Sequence, residues 1–221
     1  MTNLANIKGK LKQAELVAVT KNATVAQLME LYEEGQRDFG ENRVQEIIRK
    51  EGELKDLPIN WHFIGPLQRN KVKKLLKVKH LKYIHSIDSL KLIDEFIKQK
   101  GEFIGDSLGL FLEFNTSGEE EKHGFINYDD LKVAAEKIIQ DLPNMNLIGL
   151  MTIGKIRGND FKQDAIDSFS TLLEIKQKLE QDLNIGPLKL SMGMSKDFEI
   201  AVEIGSDFVR VGRYLFAPHQ C

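Results

Sequence analysis

"LVAVTKNATVAQLMELYEEG" (residues 16–35) carries five strand-forming residues into a lysine and then, after a short turn, into a helix. Leu16 to Thr20 is a nearly unbroken apolar run, the pattern of a strand covered on both faces. Beyond the lysine, Val25, Leu28, Met29 and Tyr32 fall at helical spacing, Thr24 and Gln27 stand at capping-box distance, and Gly35 suits the residue just past a helix end. A buried strand followed at once by an amphipathic helix is half of a parallel unit, because parallel neighbours need a crossover connection.

The unit repeats along the chain. Strand-like runs recur at "RDFG" (37–40), "INWHFIG" (59–65), "YIHSI" (83–87), "LGLFLEF" (108–114), "LIGLMTI" (147–153), "LKLSMG" (188–193) and "FVRVG" (208–212), which with "LVAVT" makes eight. Helical patterns lie between them at 42–54, 70–77, 89–100, 129–140 and 196–204. In the longest, Phe161 to Leu183, one face carries Ile166, Phe169, Leu172, Leu173, Leu179 and Leu183. Eight strands alternating with helices predict an α/β protein of one domain over residues 1–221, a closed (β/α)8 TIM barrel, with an open doubly wound sheet as the rival. The polar stretch "NTSGEEEKHGFINYDD" (115–130) reads as one long loop over the barrel mouth.

Composition narrows the function. The 221 residues are 42% hydrophobic and 29% charged, with 31 Lys and Arg against 33 Asp and Glu. The resulting net charge of −2 gives no general attraction to nucleic acid or an anionic membrane. The basic run "NKVKKLLKVKH" (70–80) places Val72, Leu75 and Leu76 on one helical face, so its lysines read as a solvated surface. No apolar run approaches the roughly 20 residues that span a bilayer, and the N-terminal residues lack a signal-like apolar region. Cys221 is the lone cysteine, which excludes an intramolecular disulfide and suits a cytoplasmic protein.

In such barrels the chemistry sits at the C-terminal ends of the strands, where Lys21 stands. A strand-end lysine partly desolvated by the mouth can form a Schiff base with a carbonyl; spacing alone does not separate this role from that of an ordinary loop lysine. After the seventh strand, "SMGMS" (191–195) leads into a helix expected to begin near Ser195, so backbone N–H groups and a hydroxyl converge where a phosphate would fit. After the eighth, "RVGR" (210–213) sets Gly212 between two arginines. Closure pairs strand 8 with strand 1 and gathers these groups around one ligand, for which a phosphorylated aldehyde, pyridoxal 5′-phosphate (PLP) above all, suits lysine, phosphate cradle and arginine together. A phosphorylated sugar held by the same lysine is the competing ligand.

The motifs "LVAVTK", "FGENRVQE", "WHFIGPLQRNK", "IHSID", "NTSGEEEKHGF", "GLMTIG" and "SMGMSKDFEIAVEIGSDFVRVGRYLF" run in this order from residue 16 to 216. In them the chain resembles the YggS/PROSC-type pyridoxal phosphate homeostasis family, whose fold looks like the N-terminal barrel of alanine racemase. The resemblance implies that Lys21 forms the Schiff base with PLP. It also implies that Ser195 and the Met194 backbone bind the phosphate, with Gly212 and Arg213 adding contacts, and that Arg210 faces the pyridine nitrogen. Asn42 and His62 are expected near the cofactor, His85 in a structural role. An always-charged arginine at the ring nitrogen keeps it unprotonated and makes the ring a weaker electron sink.

Racemisation needs acid-base groups on both faces of the cofactor adduct, and in alanine racemase the second is a tyrosine from a C-terminal domain of the partner subunit. No such domain is expected beyond Arg210, and Tyr214 is the nearest tyrosine to the expected phosphate turn. The expectation is therefore a non-catalytic, monomeric protein that stores, buffers or delivers PLP, with PLP-dependent apoenzymes as transient partners. A single-domain amino-acid racemase is the alternative.

Overall fold

The computed structural model describes residues 2–119, 121–155 and 160–216; Cys221 lies outside the described residues. In chain order the elements are α1 (Leu4–Lys8), β1 (Glu15–Val19), α2 (Val25–Glu33), β2 (Asp38–Glu41), α3 (Val44–Glu53), β3 (Asn60–Phe63), α4 (Val72–Leu75), β4 (Leu81–Ile87), α5 (Leu90–Gln99), β5 (Leu108–Glu113), α6 (Tyr128–Asp141), β6 (Met145–Met151), α7 (Phe161–Leu183), β7 (Lys189–Met194), α8 (Phe198–Ile204) and β8 (Phe208–Val211). The eight strands are all parallel and close into a barrel in sequence order, so the closed alternative is realised over the open sheet. Closure sets Val17 beside Arg210 and Ala18 beside Val211, and with it Lys21 beside the segment that follows β8.

The helices form where the patterning placed them. Thr24 and Gln27 exchange both bonds of the capping box, and α2 turns Leu28 and Leu31 inward. Asp160 caps α7 by accepting from the N–H groups of Lys162 and Gln163, and the helix buries Ala165, Phe169, Leu172 and Leu179. Every residue of β5 is buried, as its apolar run requires. Two elements differ from expectation. The segment 70–77 gives only one α-helical turn, Val72–Leu75, behind a 3-10 turn at Arg69–Lys71, although Val72, Leu75 and Leu76 are all buried. The short α1, which has no strong sequence signal, is held by Leu4, Ile7 and a hydrogen bond from Asn3 N–H to the Leu215 carbonyl.

Side chains between strands and helices form the main core, while Val17, Phe111, Met151 and Phe208 make a separate cluster inside the barrel. Polar groups share that inner space: His62, His85, Ser191 and Arg210 are all buried there and all hydrogen-bonded. Buried polar groups are tolerated on that condition.

Candidate active site

A cavity of about 360 Å³ opens at the C-terminal ends of β1, β2, β3, β6, β7 and β8, within the roughly 300–1,000 Å³ of ordinary small-molecule sites. Lys21, Asn42, Met194, Ser195, Arg210, Gly212 and Arg213 line it together with Asp197. Seven of the sequence-predicted residues thus meet in one place. His62 does not. It is completely buried inside the barrel, with Nδ1 3.0 Å from His85 Nε2 and Nε2 3.1 Å from Asp38 Oδ1. It sits at an inward position of β3 between flanking residues, Trp61 and Phe63, that join the outer core, so the motif located it in the fold but not at the ligand.

Lys21 lies two residues beyond β1 and is exposed, so the partial burial expected of its amine is absent. The backbone leading to it is fixed. Thr20 N–H donates to the Gly40 carbonyl at 2.9 Å, and the Thr20 carbonyl accepts from Lys50 Nζ at 2.7 Å. Lys50 also reaches Glu41 Oε1 at 2.6 Å, which accepts from the Thr20 hydroxyl at 2.7 Å. This buried ion pair was missed in the sequence, although Lys50 interrupts the apolar stripe Val44, Ile47, Leu54 on which it lies.

Asn42 is positioned by an unusually close contact: a Cβ at Gly65 would come within 2.3 Å of the Asn42 carbonyl oxygen, so only glycine lets the end of "WHFIG" lie against it. Across the cavity, the Gly212 N–H donates to Ser195 Oγ at 3.3 Å. They bring one backbone donor and one hydroxyl to the same spot. Two expectations about this turn need correction. Helix α8 begins at Phe198, after Asp197, and not near Ser195. The Met194 N–H donates to Asp197 Oδ1 at 2.5 Å, so it is already engaged and not free for an anion. Burial pushes the Asp197 carboxyl up, opposed by that N–H and by the charge of Arg210.

Arg210 is fixed from two sides, Nη1 donating to Ser191 Oγ at 2.6 Å and Nη2 to the Thr152 carbonyl at 2.9 Å. Burial pulls its guanidinium down to about 10, against the charges of Glu113 and Asp197, so it remains a cation at neutral pH. Glu113, the last residue of β5, lines a side recess of about 170 Å³ that shares Ile64, Pro66 and Ile153 with the main cavity. Burial, with a contribution from Asp88, raises its carboxyl to about 7 despite Arg210. Tyr214 does not line the main cavity; its hydroxyl accepts from Asn6 at 3.0 Å.

The sequence pattern of the alanine racemase N-terminal domain matches residues 1–220. The chain belongs to the alanine racemase N-terminal domain family. Relatives within reach of alignment carry a narrower description. A human protein named pyridoxal phosphate homeostasis protein is 41% identical over 217 residues, spanning 94% of this chain and 78% of the relative. One of the same name from Pseudomonas aeruginosa is 39% identical over 229 residues, spanning 99% and 95%. The solved structure of PipY from Synechococcus elongatus with PLP bound superposes with a TM-score of 0.85 at 35% identity, covering 97% of this chain and 98% of that one. Alanine racemase from Clostridium difficile, at 14% identity and a TM-score of 0.77, shares the fold over 56% of its length.

Proposed function

We propose that this protein binds PLP covalently through Lys21 and serves intracellular PLP homeostasis by storing, buffering or delivering the aldehyde, without appreciable turnover. The observation that carries the reading is the convergence of an exposed amine on Lys21, the Ser195 hydroxyl with the Gly212 N–H, and the buried Arg210 cation on one cavity. These groups fit PLP in turn: an amine for the aldehyde, the Ser195 hydroxyl for the phosphate, a guanidinium for the ring nitrogen. When bound, PLP supplies an electron-withdrawing ring that stabilises negative charge on an attached amino acid.

The chain's own residues moderate that chemistry. Arg210 offers N–H donors and no acceptor, so it cannot receive a proton from the ring nitrogen, nor stabilise a protonated one as a carboxylate would. Asn42 and Arg213 complete the wall, Arg213 as an exposed cation near the phosphate turn. Exposure of Lys21 suits exchange of the aldehyde with other amines, including those of apoenzymes. A monomer in the cytoplasm is the state in which we expect it to act.

Titration of purified protein with PLP tests this. The wild type develops the absorbance of a lysine-linked chromophore, Lys21→Ala does not, and Ser195→Ala weakens binding about 10-fold, the cost of one hydrogen bond to a charged group. Equal titration curves for wild type and Lys21→Ala would overturn the assignment. One observation favours the racemase alternative: Glu113, near neutrality beside the cavity, could exchange a proton. Amino-acid racemisation by the PLP-loaded protein that disappears in Glu113→Gln would favour that reading.

A further inference from the structure

Five side chains join the two ends of the barrel. Asp38, the first residue of β2 and partly open to solvent at the N-terminal end, lies 3.1 Å from His62 Nε2. His62 Nδ1 meets His85 Nε2 at 3.0 Å, His85 Nδ1 meets Ser191 Oγ at 2.8 Å, and Ser191 Oγ accepts from Arg210 at 2.6 Å. The line passes from β2 through β3 to β4, crosses the interior to β7, and ends on β8 at the cavity. Between its ends it is walled by aromatic rings: His85 stacks on Phe111 at 4.5 Å, and His62 lies 4.8 Å from Tyr83 and 5.8 Å from Phe208.

The donors can be assigned by counting. Burial, with the charges of His62 and Arg210, holds His85 well below the usual histidine range, so it is neutral, with one donor and one acceptor nitrogen. Asp38 is an acceptor: burial pushes its carboxyl up, but His62, Asn60 and Lys82 outweigh that and hold it below the usual range. Because Arg210 donates to Ser191, the hydroxyl is free to donate to His85 Nδ1. His85 then donates from Nε2 to His62 Nδ1, and His62 from Nε2 to Asp38. Every proton then points from the cation toward the carboxylate; with a single proton on His62, the reverse order would set its lone pair against Asp38.

A second proton on His62 must sit on Nδ1. His85 then has to present a lone pair there and carry its own proton on Nδ1, facing Ser191. The net change is one proton taken from water, yet it alters Ser191 at the far end: Oγ now accepts from both His85 and Arg210, and its hydroxyl turns away. A hydroxyl that no longer donates along the line is a poorer acceptor for Arg210.

We propose that Arg210, Ser191, His85, His62 and Asp38 form a two-state relay, in which His85 and Ser191 are positioning residues for the guanidinium and protonation of His62 is transmitted to a cofactor ring facing Arg210. The proposal rests on the PLP reading. The charged or titratable groups around the line are Asp38, Lys82, Glu15 and Tyr83 toward the barrel floor, and Glu113 and Asp197 around Arg210.

Nitrogen NMR of the histidine rings in protein without PLP tests the relay by itself. While His62 holds a single proton, both rings carry theirs on Nε2, and Asp38→Asn, which removes the adjacent opposite charge, lowers the pH at which His62 takes up its second. Glu15→Gln, at the same end of the barrel but outside the line, has a smaller effect. With 15N-labelled PLP bound, the ring-nitrogen signal of the wild type steps at the His62 midpoint, and the step moves with that midpoint in Asp38→Asn. In Ser191→Ala, which only removes an oxygen, His62 still titrates but the step at the ring is lost. A His85 proton on Nδ1 while His62 holds a single proton, or a ring-nitrogen profile identical in all three proteins, overturns the relay. If the wild type forms no lysine-linked chromophore, the PLP reading fails instead, and the histidine spectra still decide the line of donors.

Discussion

Replacing Lys50 by methionine lowers stability by about 3–5 kcal/mol, the cost of leaving one member of a buried ion pair alone, which for a chain of this size is a fall in Tm of roughly 6–20 °C. Lys50 and Glu41 are both excluded from solvent, and Glu41 Oε2 is buried without a hydrogen bond. Removing the ammonium therefore leaves a carboxylate with the Thr20 hydroxyl as its only remaining partner among the described residues, and also frees the Thr20 carbonyl. Because Thr20 directly precedes Lys21, PLP binding weakens along with stability. The double replacement Glu41→Leu with Lys50→Met recovers most of the loss, since an apolar pair of similar volume replaces buried ions at little net cost. Denaturant unfolding of the two single variants and the double variant gives the coupling energy; additive losses would show that the pair does not act as a unit.

Glu113→Gln stabilises the protein above pH 7 and leaves it nearly unchanged below pH 4.5. Burial raises the native carboxyl to about 7, whereas the unfolded chain releases its proton near the ordinary value of 4.5. Over that interval the folded state binds more protons than the unfolded one, so stability falls as pH rises. A shift of this size corresponds to about 3 kcal/mol across the window. Glutamine mimics the protonated acid and removes the dependence, so unfolding free energies of the two proteins diverge as pH rises from 4.5 to about 7 and the difference then levels off. A difference that stays constant with pH would contradict the burial argument.

The barrel could be read from the chain because its strands are covered on both faces and so appear as apolar runs, and because the helices between them carry caps and stripes. The five residues of α1 carry no such signal and are held by contacts to Tyr214 and Leu215 from the far end of the chain. At the mouth, Lys21, Asn42, Ser195, Arg210 and Gly212 were legible because each sits in a short motif at a strand end. Glu113 was hidden in the apolar run of β5, whose last residue turns into the barrel mouth. The polar line through the interior was hidden for another reason: His62, His85 and Ser191 lie far apart in sequence and meet only when β4 faces β7 across the barrel. Motif reading placed His62 near the cofactor; inward alternation along β3 places it beneath, one link from Asp38.

Lys21 is the hinge of the account, and its covalent role can be measured directly. Purified protein incubated with PLP is reduced with borohydride, digested and analysed by peptide mass spectrometry. The account predicts a single dominant pyridoxyl-phosphate modification on the peptide containing Lys21, with the same peptide unmodified when reduction is omitted. Modification spread over surface lysines, or confined to a lysine other than Lys21, would contradict it.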